Sequence, residues 1–479
     1  MHKKLFQGLL ITLLGFVAVS CNNDDTPAPV SFSITSTIDE TSPITLLCGE
    51  TITLQYEAAN TQSISFENAP AGWQTTVDEE TQTIQITAAE ATVEAQGGAF
   101  TLNIMADGDS NPITEQLSLY WLKSFDDARG TFVLNEGNMT SENGSLIYIT
   151  PEGIVIDSVY KRVNGTELGN VAQDMVSRDG KIYIISQNGN ENPAGTTFEN
   201  DGMLIILNAQ TLKKEKAFTK EQLPELTWPS HIAVLDAQHV YIRDNGTASG
   251  DAGNGQIWLL NSESGELTVV EGSSGAPKKP FVTMDGKIYT FKSGFVYSYV
   301  WEISPEAAVV NRIKLPAYWK GAEGIQAAGN GQLWVHGTQY GPDLFVKYDL
   351  ATQEEVLRKT ILNKPANGSS GRSFVAQGNN IYYTWEGTIC RLSFDEGAPE
   401  NEEELLDIST LDSNAREFYN GLGVHPVTGH IYANTIKGVG PFYTTNHIWI
   451  FDFEQSTTEA LHQFKDFTHF PAGIFFPEH

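Results

Sequence analysis

The chain has 479 residues, 40% of them hydrophobic and 18% charged, so it can bury full cores and its composition is not that of a disordered protein. Its 59 Asp and Glu against 29 Lys and Arg leave a formal net charge of -30, which repels phosphate backbones and argues against nucleic-acid binding. A strongly anionic ligand would need a local basic group.

Residues 1 to 21 have the layout of an export signal, with Lys3 and Lys4 ahead of the apolar run Leu9 to Val19 and small residues leading to Cys21. That run is too short to span a bilayer comfortably. VAVSC at 17 to 21 resembles a bacterial lipobox with Ala18 where the pattern prefers Leu, so Cys21 is expected to be lipidated; an ordinary cleaved signal is the alternative. Contact with the membrane is then expected only through the lipid. Residues 22 to 30 (NNDDTPAPV) are polar and proline-bearing, as suits a flexible tether.

From 31 to 122 short alternating segments (SFSITSTI, TITLQYEA, SISFEN, TIQITAA, FTLNIMA, QLSLYWL) are separated by turn clusters, which predicts an immunoglobulin-like β-sandwich. Asp107, Asp109 and Asn111 have calcium-like spacing, but Pro112 stands where a calcium loop needs glycine, so they are read as a turn. Cys48 and Cys390 fall in different predicted domains and are expected to be small buried hydrophobes without a disulfide.

From 129 to 479 the signal is repetition. DGKIYIIS at 179, QHVYIRDN at 238, DGKIYTFK at 285, NGQLWVHG at 330, NNIYYTWE at 379 and TGHIYANT at 428 recur at a period that indicates a propeller or a solenoid. Each follows a first strand and precedes a third and a more polar fourth, and four strands make a blade. Asp179-Gly180 and Asp285-Gly286 supply tight turns. The only helical turn expected is at 220 to 225. The last first strand, FPAGIFF at 470 to 476, has no strands after it, whereas TFVLNEG at 131 to 137 and the segments at 144 to 150 and 153 to 159 lack a first strand. Pairing them closes a seven-bladed β-propeller and removes its exposed edges. The fold class predicted is therefore all-β, a sandwich followed by this closed propeller.

The rim onto which first strands open collects the long loops. They carry Asn135, Asn188 and Asn245 among their amides, and Trp228, Tyr318, Trp319, Tyr340, Trp385, Phe418, Tyr419, Phe442 and Tyr443 among their aromatics. Flat apolar contact with adaptable hydrogen bonding suits a small neutral polar ligand; the competing expectation is that the aromatics staple neighbouring blades. His231, Glu323, Arg372 and His425 lie on first strands and are candidates to face the central channel. Glu136, Glu323 and Glu386 could pair for glycoside chemistry. No HExxH, CxxC pair, GxSxG elbow or Gly-rich nucleotide loop occurs, so no catalytic residue, metal or cofactor is assigned.

FVLNEGN at 132 to 138 with NGSLIYI at 143 to 149, followed by DGKIYIIS and MLIILNAQTL, resembles the surface propeller lipoproteins of Bacteroidota, a YncE-like group whose best-understood branch is the BtuG type. NNDD after Cys21 resembles the surface-export signals of such lipoproteins. The resemblance covers about 129 to 479. It implies a seven-bladed protein on the outer face of the outer membrane that captures cobalamin (vitamin B12) or another corrinoid and passes it to a TonB-dependent outer-membrane transporter. A propeller enzyme acting on glycans and an adhesion or scaffold protein stay open as alternatives.

Overall fold

The computed structural model describes residues 28–39, 41–196, 198–246, 255–294, 296–316, 321–338, 342–361, 364, 366 and 374–478, without the side chains of 321–323. Two compact units divide between Trp121 and Leu122.

The first unit is a sandwich of two four-stranded sheets. One runs Ser31–Ile34, Thr51–Ala59, Thr83–Thr87, Gln74–Asp78, and the other Ile44–Leu47, Ile113–Leu122, Gly98–Asp107, Ser63–Glu67. This split of eight antiparallel strands is the immunoglobulin arrangement expected from the alternation. Leu46, Ile84, Ile86, Leu102, Ile104, Leu119 and Trp121 fill the space between the sheets. Ile44–Leu47 and Gln74–Asp78 were not among the predicted strands. Cys48 packs against this core, and Gln62 Nε2 donates to Asp109 Oδ1 at 2.5 Å in the turn that had calcium-like spacing.

The second unit contains seven four-stranded sheets among its described residues. The innermost strands are Asn170–Arg178, Pro229–Asp236, Val282–Met284, Gly321–Gly329, Phe374–Gln377 and Glu417–Val424 for blades 1 to 6, and Pro471–Phe475 for blade 7. Blade 7 is built from both ends of the domain: Pro471–Phe475 pairs antiparallel with Thr131–Asn135, which pairs with Ser145–Ile149 and then Val155–Ile156. The expected closure is therefore present. The segment predicted as a strand at 153 to 159 is a correction: only Val155–Ile156 pairs, and a helix Val159–Asn164 follows. Ser158 at φ 52° turns the chain out of the sheet, and Val159 and Tyr160 become the buried face of that helix. At 220 to 225 a single turn forms, with Leu223 N–H on Thr219 O, and Pro224 follows it.

Second and third strands are buried on both faces, as in Asn446–Phe451, while the outer Glu354–Ile361 alternates. Six hydrophobic clusters each join two consecutive blades, from blades 1 and 2 (Ile185, Leu204, Ile232, Ile242) round to blades 6 and 7 (Tyr432, Ile448, Val133, Ile147). Blade 7 meets blade 1 through Gly144 N–H on Gly169 O at 3.2 Å and Asn170 Nδ2 on Glu142 O at 3.0 Å. Asp179-Gly180 and Asp285-Gly286 both have positive φ at both residues, the hairpin turn their sequence predicts. Cys390 is fully buried in the cluster of blades 4 and 5, which pushes its thiol up to about 11, and both described cysteines are free.

Innermost strands have one unpaired edge facing the channel, and neighbouring side chains satisfy part of it. Asp174 Oδ2 of blade 1 accepts from Ile232 N–H of blade 2 at 3.2 Å. Gln326 of blade 4 donates to Phe374 O at 2.7 Å and accepts from Ala376 N–H at 2.9 Å in blade 5. Asn420 of blade 6 donates to Pro471 O of blade 7 at 2.8 Å. Buried backbone groups must be paired, and these side chains also lock the blades in sequence.

Candidate functional site at the channel mouth

Described residues line two chambers of the channel. The lower, of about 440 Å³, is lined by the innermost strands of all seven blades, with mostly apolar side chains. The upper, of about 330 Å³, is polar: Glu136, Gln173, Gln187, His231, Lys278, Tyr419, Asn420 and Ala472 line it.

Bulges in the first strands build this mouth. The register skips Val171 and Gln173 in blade 1, Ser230 in blade 2, Glu323 in blade 4, residues 419 to 421 in blade 6 and Ala472 in blade 7. A bulge leaves a residue without a cross-strand partner and re-aims its side chain. Gln173, Tyr419, Asn420 and Ala472 reach the chamber in this way. At these bulges Val171 and Asn420 take φ 56° and 57°, and for the β-branched Val171 that is strain held by its surroundings.

Glu136 is the electrostatic centre. Its backbone N–H bonds Phe470 O at 2.8 Å, which fixes it to the closing strand. Burial raises its carboxyl from 4.5 to about 7, against the lowering influence of the Asn420 amide (Nδ2 to Oε1, 3.2 Å), the Lys278 charge and the Gln173 amide. Burial, with the Glu136 charge behind it, also raises the Tyr419 phenol. His231 directs Nδ1 toward Asp174 Oδ2 at 3.4 Å, and that carboxylate is itself anchored on the backbone of blade 2.

Beside the mouth stands an aromatic shelf. Phe470 stacks on Tyr443 with ring centroids 5.0 Å apart and lies 5.6 Å from Tyr419. Phe442, next to Tyr443, is 45% exposed, with Lys437 Nζ 4.9 Å from its ring. The expectation of a rim with aromatics and the expectation of stapling meet here, because Tyr419, Phe470 and Tyr443 are half-buried against one another across blades 6 and 7.

The other candidates lie apart from the mouth. Asn135 is buried, its amide donating to Ser145 Oγ at 3.0 Å and accepting from His469 N–H at 3.2 Å. Asn188 is buried and donates to Asn170 Oδ1 at 2.7 Å. Asn245 is 1% exposed and neither amide atom has a hydrogen-bond partner among the described residues, and Trp228, whose backbone N–H bonds Asp244 Oδ1 at 2.6 Å, is half-buried beside it. Trp385 caps blade 5 with Lys364 Nζ 5.9 Å from its ring. Tyr318, Trp319, Tyr340, Arg372 and Cys21, and the side chain of Glu323, lie outside the described residues.

His425 is a correction. It sits past the lower end of its first strand, 1% exposed, with Nδ1 accepting from Val427 and Thr428 N–H at 3.2 Å each and its ring against Phe476. It organises a turn and does not face the mouth. Nor do the described residues pair carboxylates there: Glu136 is the one carboxyl lining the mouth, and Glu386 lies in a turn at the top of blade 5. No group of three metal-ligating side chains occurs among the described residues. Gln173, Gln187, Lys278, Asn420 and Phe470 were missed. Only the backbone register brings them to the site, and bulges leave no compositional mark.

The fold is thus a sandwich and a closed seven-bladed propeller, whose described residues form a polar mouth beside an aromatic shelf. Residues 129–477 match the family model described as Domain of unknown function (DUF5074), and the chain belongs to that family. The structure is similar to that of a quinonprotein alcohol dehydrogenase-like protein from Bacteroides thetaiotaomicron, 14% identical, with a TM-score of 0.52 over 93% of this chain and 99% of that one. It also matches a 6-phosphogluconolactonase-like protein from Bacteroides uniformis, 11% identical, TM-score 0.44, over 73% of this chain and 99% of that one. No curated protein matches. Identities this low speak for the fold alone.

Proposed function

We propose that this protein is a ligand-capture lipoprotein whose propeller rim binds a flat, amide-edged molecule of the corrinoid class and hands it to an outer-membrane transporter. The observation that carries the reading is the aromatic shelf of Tyr419, Phe470 and Tyr443 beside a mouth furnished with amides, Gln173, Gln187 and Asn420. Aromatic faces accept a planar apolar body, and amides answer a periphery of amides in both donor and acceptor senses. The export signal and lipobox-like VAVSC, the acidic NNDD and the resemblance of the propeller's opening phrase support a cell-surface location and a transporter as partner. The test is an equilibrium titration of the purified protein with cyanocobalamin. Saturable binding below micromolar ligand is expected, and no binding at micromolar ligand sinks the corrinoid assignment.

A further inference from the structure

The charged groups of the mouth have a use that a neutral, amide-edged ligand does not draw on. Among the described residues lining this chamber, Lys278, in the loop that enters blade 3, is the one ammonium and Glu136 the one carboxyl. Their charges are coupled across it.

We propose that the channel mouth is an oxyanion subsite, taking a single carboxylate or phosphate-type group of the ligand at Lys278, with His231, Gln187 and Tyr419 around it and Glu136 as the group that gives way. The ligand body rests on the corrinoid-class reading above, while the oxyanion chemistry rests on the mouth alone. In a chain of formal charge -30 an anion is repelled at long range, so its binding needs a cation in an enclosed place where solvent screens it little. Lys278 stands half-buried in the lining of this chamber. A cationic group entering the chamber would meet its ammonium.

Glu136 would oppose an anion if ionised, but burial has already moved it to about 7, and an arriving negative charge moves it further in the same direction. It takes up one proton as the anion enters, and its O–H becomes a donor to that anion. The other groups facing it are Gln173 and Gln187 from blade 1, His231 from blade 2 with Asp174 behind it, and Tyr419 and Asn420 from blade 6; blade 7 presents Ala472. Blades 4 and 5 contribute no described side chain to this chamber.

The test is calorimetric titration of the full chain with sodium sulfate and, separately, with sodium acetate, at pH 6 and pH 8, where neither anion changes charge. Binding about tenfold tighter at pH 6 than at pH 8 is expected, the ratio set by a group titrating at about 7. Glu136→Gln should reduce that ratio below about twofold. Lys278→Met should lose binding at both pH values. Sulfate alone binding assigns a tetrahedral group and acetate alone a planar one. Three results each overturn the proposal: no binding of either anion at pH 6, native affinity in Lys278→Met, or an undiminished pH ratio in Glu136→Gln. A cyanocobalamin titration in parallel separates the two readings. Anion binding without cobalamin binding removes the corrinoid assignment and leaves the subsite, and the reverse removes the subsite alone.

Discussion

Glu136 ties the site to the stability of the whole domain. Its folded value of about 7 lies above the ordinary 4.5, so the folded protein holds an extra proton between those values and stability falls as pH rises through that window. Above pH 7 the ionised carboxyl costs at most about 3 kcal/mol. Glu136→Gln should therefore melt a few degrees above the native protein at pH 8, with the gap closing toward pH 4.5; equal melting temperatures at pH 8 would show the carboxyl to be solvated. At the shelf, Tyr443→Ala removes the face stacked on Phe470 and should weaken ligand binding by roughly tenfold or more with little change in melting temperature. A large drop in melting temperature with unchanged affinity would identify Tyr443 as a staple between blades and not as a contact.

At the scale of the element, the closing strand Pro471–Phe475 supplies the inner edge of blade 7 and, through Ile474 and Phe476, part of the cluster that joins it to blade 6. Deleting 471 to 479 exposes the edge of Thr131–Asn135 and should lower the melting temperature by more than about 10 °C or prevent folding, since an open ring loses two interfaces at once. Melting unchanged by the deletion would contradict the closure. Strands were legible where repetition or alternation repeats a physical demand: DGKIYIIS and its relatives are buried on both faces, and that burial is written directly into apolar runs. Ile44–Leu47 and Gln74–Asp78 were not, because four residues after Pro43 and the polar QTTVD show no period of their own. The helix Val159–Asn164 was hidden by the same shortness, although Gly165 at φ 74° is the cap that ends it.

For the molecule as a whole, the blade count and its closure followed from matching unpaired ends of the sequence, while the site did not. Tyr419, Tyr443 and His231 were identified by residue type, yet Lys278, Gln173 and Asn420 enter the mouth through bulges and a loop whose register depends on the finished ring. The same dependence kept His425 from its expected place: one residue beyond the strand end it belongs to the opposite rim. What the ring assembles is one mouth bordered by one shelf, and the proposed function requires that a flat amide-edged ligand bind there. The most direct measurement is a calorimetric titration of cyanocobalamin into the native protein and into the Tyr419→Ala, Tyr443→Ala double variant. Submicromolar binding by the native protein and at least a tenfold loss in the variant are predicted. Absence of binding by the native protein, or equal affinity in both, would contradict it.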